Sequence, residues 1–82
     1  MHIVWDEPKR LTNLEKNELD FRDLTESWFE QATVKAARDG RHKAIGSLDG
    51  HIVAVIFHEL GTEAVSPISM RLARRDESRL VE

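Results

Sequence analysis

Four side chains of this sequence have the types and spacing for chemistry at a phosphate group. Arg38, Arg41 and Lys43 lie close together in the chain, and His58 ends a long apolar run. Arginine and lysine bind phosphate oxygens, and histidine donates or accepts protons near neutral pH. Solvated hairpin tips and strand ends carry the same residue types, so this chemistry depends on the elements that position the side chains.

Two Asp-Gly pairs predict the hairpins that would gather these residues. Asp-Gly between strand-like runs is typical of a two-residue turn, because both turn residues adopt positive φ. Asp39-Gly40 and Asp49-Gly50 therefore predict antiparallel strands at 32–38, 41–48 and 51–58. In the last of these strands both the odd- and the even-numbered residues are apolar. This predicts that other parts of the protein cover both of its faces and that it lies at the centre of the sheet.

A fourth strand and three helices complete the predicted elements. The fourth strand spans 63–71, where Pro67 requires a sheet edge or a bulge. Asp6 and Asp20 are good N-cap residues, and apolar residues follow each of them at helical spacing. Helices are predicted at 7–17, at 21–30 and, as a short C-terminal helix, at 73–81.

The predicted fold class is α+β, with two N-terminal helices packed on a four-stranded antiparallel meander and a short C-terminal helix. A chain of 82 residues predicts a single domain, residues 1–82. The absence of cysteine and of metal-type histidine spacing leads us to expect no disulfide, metal or other cofactor. Without a signal peptide or an apolar run of membrane length, we expect a cytoplasmic protein that does not contact membranes.

The net charge of −3 hides a local basic segment. Residues 31–58 carry four bases and two acids, whereas residues 1–30 carry four bases and eight acids. An ordinary solvated surface would account for this asymmetry. A local binding site for a phosphate-bearing ligand on an acidic body would account for it equally well.

Two-residue turns would also fix which side chains share a face. Arg38 would lie opposite Arg41, Ala36 opposite Lys43, and Arg41 opposite His58. The first face, with Ala44, Val53, Val55 and Phe57 and with Lys35 near its margin, would pack on the helices. The second face would gather the basic cluster beside Val34, Ile45, Ile52, Ala54 and Ile56.

This second face makes two demands. Like charges directly across a sheet destabilise it, so Arg38, Arg41 and Lys43 require a counter-charge, either a phosphate or a nearby carboxylate. No further helix of the chain obviously covers the apolar residues, so we predict that a partner chain does.

Several short segments along nearly the whole chain form one ordered pattern. They are Trp5-Asp6-Glu7-Pro8-Lys9-Arg10, Asn13-Leu14-Glu15-Lys16, Asp20-Phe21, Arg41 to Gly46, Val55-Ile56-Phe57 and Ile68-Ser69-Met70-Arg71-Leu72-Ala73. In this order the segments resemble the BrnT family. The last segment, followed by Glu77, is similar to the I-S-A-R-[KR]-A…E ending of that family.

The resemblance implies a RelE-like fold and a metal-independent ribonuclease toxin of a type II toxin–antitoxin pair, which would inhibit translation. Its partners would be RNA and an antitoxin of the ribbon-helix-helix type in a hetero-oligomer, with DNA reached only through the antitoxin. We expect catalysis by Arg41, Lys43 and Arg71 as charges and by His58 as acid or base. The expected RNA contacts are Lys9, Lys16, Arg38, Arg74 and Arg75.

Some positions depart from the family pattern. Asn17-Glu18 stands where the family has His-Gly, and Val81 stands where a tyrosine is common. An alternative function is therefore a catalytically inactive, toxin-like module that binds an antitoxin and acts as a co-repressor. Regular pairing would also place Arg71 at the opposite end of the 51–58 strand from His58, unless Pro67 shifts the register.

Overall fold

The computed structural model describes residues 1–81, and within that range it contains five strands and three α-helices. The strands are β1 (His2–Ile3), β2 (Thr33–Ala36), β3 (His42–Leu48), β4 (His51–Leu60) and β5 (Ala64–Leu72). The helices are α1 (Glu7–Asn17), α2 (Glu26–Gln31) and α3 (Arg75–Ser78). No helix within residues 1–81 is long and apolar enough to cross a membrane.

The hairpin at Asp49-Gly50 has the predicted geometry. Asp49 and Gly50 have φ values of 50° and 84°, which a two-residue turn between right-twisted strands requires. β3 and β4 pair antiparallel, with Leu48 opposite His51 and Lys43 opposite Ile56. The predicted register of this hairpin is confirmed, and β4 lies at the centre of the sheet.

The hairpin at Asp39-Gly40 differs from the prediction by one residue. Arg38–Gly40 forms a 3₁₀ turn, so the loop contains three residues and Ala37, not Arg38, pairs with Arg41. β2 consequently places Lys35, not Ala36, opposite Lys43. The predicted Arg38–Arg41 pair was wrong because the loop contains three residues, whereas a two-residue Asp-Gly turn was predicted.

The one-residue shift exchanges the faces of β2. Side chains alternate along a strand, so a slip of one residue moves every side chain to the opposite face. Val34 lies opposite Ala44 and therefore joins the first face, while Lys35 joins the second face. The predicted placement of Val34 on the second face was wrong.

The sheet has five strands in the order β1-β5-β4-β3-β2, and it is mixed rather than purely antiparallel. β1 pairs parallel with β5 through His2 opposite Ala64 and Ile3 opposite Val65. The four-stranded antiparallel meander was therefore incomplete, because a two-residue strand is too short to show a period. Near Pro67 the register shifts between Ile56 and Phe57, so the bulge, one of the two predicted arrangements, is present. The edge position that a four-stranded meander would give this strand was wrong, because β1 pairs with β5 at Ala64 and Val65.

The first helix is confirmed, and the other two are shorter than predicted. Asp6 caps α1, its side chain accepting a hydrogen bond from the Lys9 amide at 3.3 Å. The predicted helix at 21–30 divides into a 3₁₀ turn at Phe21–Asp23 and α2, because Leu24 is extended and Thr25 starts a new cap. The C-terminal helix contains only the four residues of α3.

The main core lies between the first face and the N-terminal elements, as predicted. Phe29 meets Phe57 in an edge-to-face contact, with ring centroids 5.2 Å apart. Gly46 leaves room for Trp28, whose ring atoms would lie 3.3 Å from an added Cβ. The buried residues of this core are Phe21, Leu24, Trp28, Phe29, Ala44, Val53, Val55, Phe57, Val65 and Met70.

Candidate active site

Three strands place cationic side chains on the second face. Lys43 on β3 lies opposite both Lys35 of β2 and Ile56 of β4. Arg71 on β5 lies opposite Ala54 of β4, two residues from Ile56 and therefore on the same face. The second face, as the structure defines it, comprises Lys35, Lys43, Ile45, Ile52, Ala54, Ile56 and Arg71.

Glu77 of α3 joins two of these cations. Its carboxylate accepts hydrogen bonds from both terminal nitrogens of the Arg71 guanidinium, at 2.7 and 3.0 Å. The Lys43 ammonium donates to the same carboxylate at 2.6 Å, and the Arg74 amide donates at 2.8 Å. We call Lys43, Arg71 and Glu77 the charge triad.

Within the charge triad, Glu77 and Arg71 stabilise each other in their ionised forms. Hydrogen bonds from Arg71 outweigh the cost of burial and hold the pKa of the Glu77 carboxyl well below its usual range. The Arg74 amide and Lys43 lower this pKa further. The same contact with Glu77 raises the pKa of Arg71. Two cations and one carboxylate leave a formal charge of +1.

The carboxylate of Glu77 supplies a counter-charge for only some of the cations that were predicted to require one. Glu77 balances Lys43 and Arg71, but among residues 1–81 no carboxylate lies within ion-pair distance of Arg38 or Arg41. Arg38 is exposed in the 3₁₀ turn. Arg41 is half-buried just before β3, and its Nε atom is buried without a hydrogen-bond partner in the described part of the chain.

The C-terminal segment also covers the centre of the second face. Ile45 and Ala54 are both fully buried although they lie outside the main core. Glu77 contacts Lys43 and Arg71, and further along the segment Leu80 borders a cleft with Ile52. The prediction that a partner chain must cover this face was wrong for its centre, because residues 73–81 cross it.

His58 lies apart from Arg71. It is half-buried on β4 opposite Ser66, and it lies four positions along β4 from Ala54, the residue opposite Arg71. At strand rise this is about 13 Å. The bulge near Pro67 shifts the register, but it does not bring His58 and Arg71 together.

Two of the expected RNA-binding lysines line a groove beside the sheet. Lys9 and Lys16 are exposed on α1, two helical turns apart on one side of the helix. The groove has a volume of about 330 Å³, and Ile68 of β5 forms part of its wall. Arg74 and Arg75 are exposed at the start of α3. The predicted cations thus occupy the hairpin end, the centre of the second face, α3 and this groove.

Two residues of the site were not identified from the sequence. In the sequence, Glu77 was noted only as part of the ending that resembles the family, although the need for a carboxylate near Lys43 was a signal for it. Lys35 was assigned to the other face because of the one-residue register error. Within residues 1–81, no three His, Cys, Asp or Glu side chains are grouped so as to hold a metal ion.

The fold and the site define a small α+β protein that presents several cations around one face of a mixed sheet. A family model described as "Ribonuclease toxin, BrnT, of type II toxin-antitoxin system" matches residues 5–77. The chain belongs to the BrnT family of ribonuclease toxins, and the resemblance found in the sequence is confirmed.

A solved structure supports this assignment. The crystal structure of the ribonuclease toxin BrnT from Brucella abortus is similar to this chain, with 50% sequence identity and a TM-score of 0.85. The match covers 92% of this chain and 99% of the Brucella chain. A comparison with curated proteins gives no match.

Proposed function

We propose that this chain is a metal-independent ribonuclease toxin that inhibits translation by cleaving RNA. The observation that carries the proposal is the convergence of Lys43 and Arg71, from two different strands, on the second face. Both side chains are 24% exposed, so a phosphate can reach them. Family membership supplies the type of substrate.

RNA cleavage without a metal needs charge at the phosphate and a route for one proton. The 2′-hydroxyl oxygen attacks the adjacent phosphorus and loses its proton, and the bond from phosphorus to the 5′-oxygen breaks as that oxygen is protonated. Negative charge accumulates on the phosphate oxygens during this step. Fixed cations aimed at those oxygens stabilise the transition state.

Lys43, Arg71 and Arg41 are the proposed electrostatic catalysts. An ammonium group has three N–H donors, so Lys43 keeps two for a phosphate after binding Glu77. Arg41 has no carboxylate partner within ion-pair distance among the described residues. His58 is the proposed proton donor or acceptor, and its separation from Arg71 requires the RNA to extend along the face.

Exposed cations elsewhere would hold the flanking RNA. Lys9 and Lys16 line the groove beside α1, and Arg38 projects from the turn before β3. Arg74 and Arg75 stand next to the charge triad. Contacts of this kind bind phosphates without reading the bases, so they set affinity and path rather than specificity.

RNA cleavage by the purified chain tests the proposal. Arg41→Ala and Lys43→Ala are the preferred variants, because neither leaves the buried Glu77 without a cation. Each is expected to lower kcat by about 100-fold or more. Arg79→Ala, which removes one exposed positive charge outside the proposed site, is the matched control and should cleave at the parent rate. No cleavage by the parent chain would refute the proposal.

The family also implies a partner protein. We propose an antitoxin of the ribbon-helix-helix type that binds this chain in a cytoplasmic hetero-oligomer and contacts DNA itself. The same proposal includes the expectation that the fold is RelE-like. Co-expression with the protein encoded by the adjacent reading frame should abolish growth arrest and yield a complex, whereas continued arrest with no complex would contradict it.

A second candidate function is that of a catalytically inactive co-repressor which still binds the antitoxin. Glu77 favours it, because this carboxylate already occupies the guanidinium edge of Arg71. Asn17 and Glu18 favour it too, since they stand where the family has His-Gly. Growth arrest on expression without a partner, lost in Arg41→Ala, would exclude this function.

A further inference from the structure

Glu77 is the most deeply buried acid at the proposed site. Its side chain is 2% exposed, and it lies on a helix of only four residues. Among residues 1–81, the hydrogen bonds that it accepts all come from Lys43, Arg71 or the Arg74 amide. Isolating a carboxylate from water in this way is costly unless such partners stabilise it, so the arrangement is specific.

The carboxylate fixes two side chains that would otherwise be mobile. Lysine and arginine have many rotamers, and two cations on one face repel each other. A carboxylate bound by both terminal nitrogens of Arg71 sets the plane of the guanidinium group. The contact with Lys43 then brings the ammonium group to the same carboxylate from β3, on the far side of β4 from Arg71.

We propose that Glu77 is a positioning residue of the ribonuclease site, holding Lys43 and Arg71 in the geometry that receives the scissile phosphate. This inference rests on the proposed ribonuclease function. Glu77 itself does not touch the RNA. It acts through the two cations, and α3 therefore belongs to the site although it contributes no catalytic group.

The exposure of the three side chains distinguishes positioning from masking. Lys43 and Arg71 are each 24% exposed, whereas Glu77 is 2% exposed. A phosphate arriving from solvent therefore meets the cations and not the carboxylate. The formal charge of +1 that remains on the charge triad attracts the phosphate. A masking acid would instead cover the cations on their solvent side.

The test compares Glu77→Gln with Asp76→Asn in the full-length chain. Glutamine keeps the shape of the side chain and removes its charge, while Asp76→Asn removes the same charge from the exposed neighbour on α3. We expect Glu77→Gln to lower kcat by about 10- to 100-fold, because small misplacements of catalytic groups cost that much. KM should change by less than about threefold, since binding at the flanking cations is retained. Asp76→Asn should match the parent.

The opposite results would overturn the inference. Parent-level or increased kcat in Glu77→Gln would show that Glu77 is dispensable or masks the cations. Equal losses in Glu77→Gln and Asp76→Asn would reduce its role to net charge. If the parent does not cleave RNA, the proposed function itself fails, and that result is distinct because it does not depend on the variants.

A second variant keeps the test decisive if Glu77→Gln does not fold. Glu77→Asp retains the charge, but its shorter side chain cannot reach both Arg71 and Lys43 in the same geometry. We expect a folded protein with reduced kcat and a thermal unfolding midpoint near that of the parent. Full activity in Glu77→Asp would contradict the positioning role.

Discussion

The side chain of Asn13 pairs with the backbone of Met70 in the manner of a neighbouring strand. The Met70 amide donates to Asn13 Oδ1 at 3.0 Å, and Asn13 Nδ2 donates to the Met70 carbonyl at 3.0 Å. β1 pairs with β5 only at Ala64 and Val65, so the backbone of β5 beyond them lacks a strand on that side. Asn13 therefore replaces the missing strand and joins α1 to the sheet.

Asn13→Ala should destabilise the fold by about 2–4 kcal/mol, because it leaves two buried backbone groups of Met70 without partners. Asn13 is 6% exposed, so water cannot easily replace its amide. The free energy of unfolding in urea measures the loss. Amide exchange at Met70 should accelerate at the same time.

Asn17→Ala is the matched control for this prediction. It removes the hydrogen bond that Asn17 Nδ2 donates to Asn13 Oδ1, but it leaves both Met70 contacts in place. Its effect on stability should be clearly smaller. Equal losses in the two variants would contradict the strand-like role of Asn13.

A network of charges joins α1 to the following turn and predicts a loss of stability in acid. Arg10 donates to Glu7 and Asp20, and Asp20 also accepts from Arg22. Burial raises the pKa of Asp20, but hydrogen bonds from Arg22 and Arg10 outweigh it and lower the pKa to about 2. Hydrogen bonds from Arg10 and Trp5 lower the pKa of Glu7 to about 2 as well.

Carboxyl groups with lowered pKa values in the folded state stabilise it above their usual pKa range. That stabilisation is lost as the pH falls from about 5 towards 2, because the unfolded chain takes up protons first. The urea midpoint should therefore fall across this range. It should fall less steeply in Asp20→Asn, which lacks one of the two groups. An identical pH dependence in parent and variant would contradict the prediction.

Glu18 adopts a strained conformation at the end of α1. Its φ of 58° is left-handed, a region that favours glycine, and its negative charge lies at the negative end of the helix dipole. Glu18→Gly should stabilise the protein by about 0.5–1 kcal/mol and raise the thermal unfolding midpoint. Glu18→Ala removes the charge but keeps the strained φ, so it should gain less. Equal gains would show that charge alone matters.

Lys9 and Lys16 should contribute to RNA affinity through phosphate contacts. Binding can be measured with 2′-O-methyl RNA, which lacks the attacking hydroxyl and is not cleaved. Each lysine-to-alanine change should weaken binding and reduce the slope of log affinity against log salt by about 0.7. Arg79→Ala should leave the slope unchanged. A slope unaffected by Lys9→Ala and Lys16→Ala would place the RNA elsewhere.

The elements whose structure depends only on residues adjacent in the sequence were predicted correctly. Asp6 fixed the start of α1, and Asp49-Gly50 fixed the register of the central hairpin, because a cap and a two-residue turn are local structures. The long apolar run of β4 also lies at the centre of the sheet, as predicted from its apolar residues at both odd and even positions.

Two local predictions were wrong where the backbone conformation of one residue decided between two possible structures. The 3₁₀ turn at Arg38–Gly40 added a residue to the first hairpin and exchanged the faces of Val34 and Lys35. Thr25 started a new helix within a continuous apolar period. In each case the pattern of apolar residues was compatible with both structures, and the backbone conformation of one residue decided between them.

By itself, the sequence determined which residue types are available for chemistry at a phosphate group, the central hairpin, and the family to which the chain belongs. Only the tertiary structure decided how the site is assembled. Glu77 and Lys43 are 34 residues apart, and Asn13 and Met70 are 57 apart. Such contacts follow from the path of the chain through space, whereas turns and caps follow from interactions between adjacent residues. The carboxylate that balances the cations could therefore be expected from their charges, but its identity required the fold.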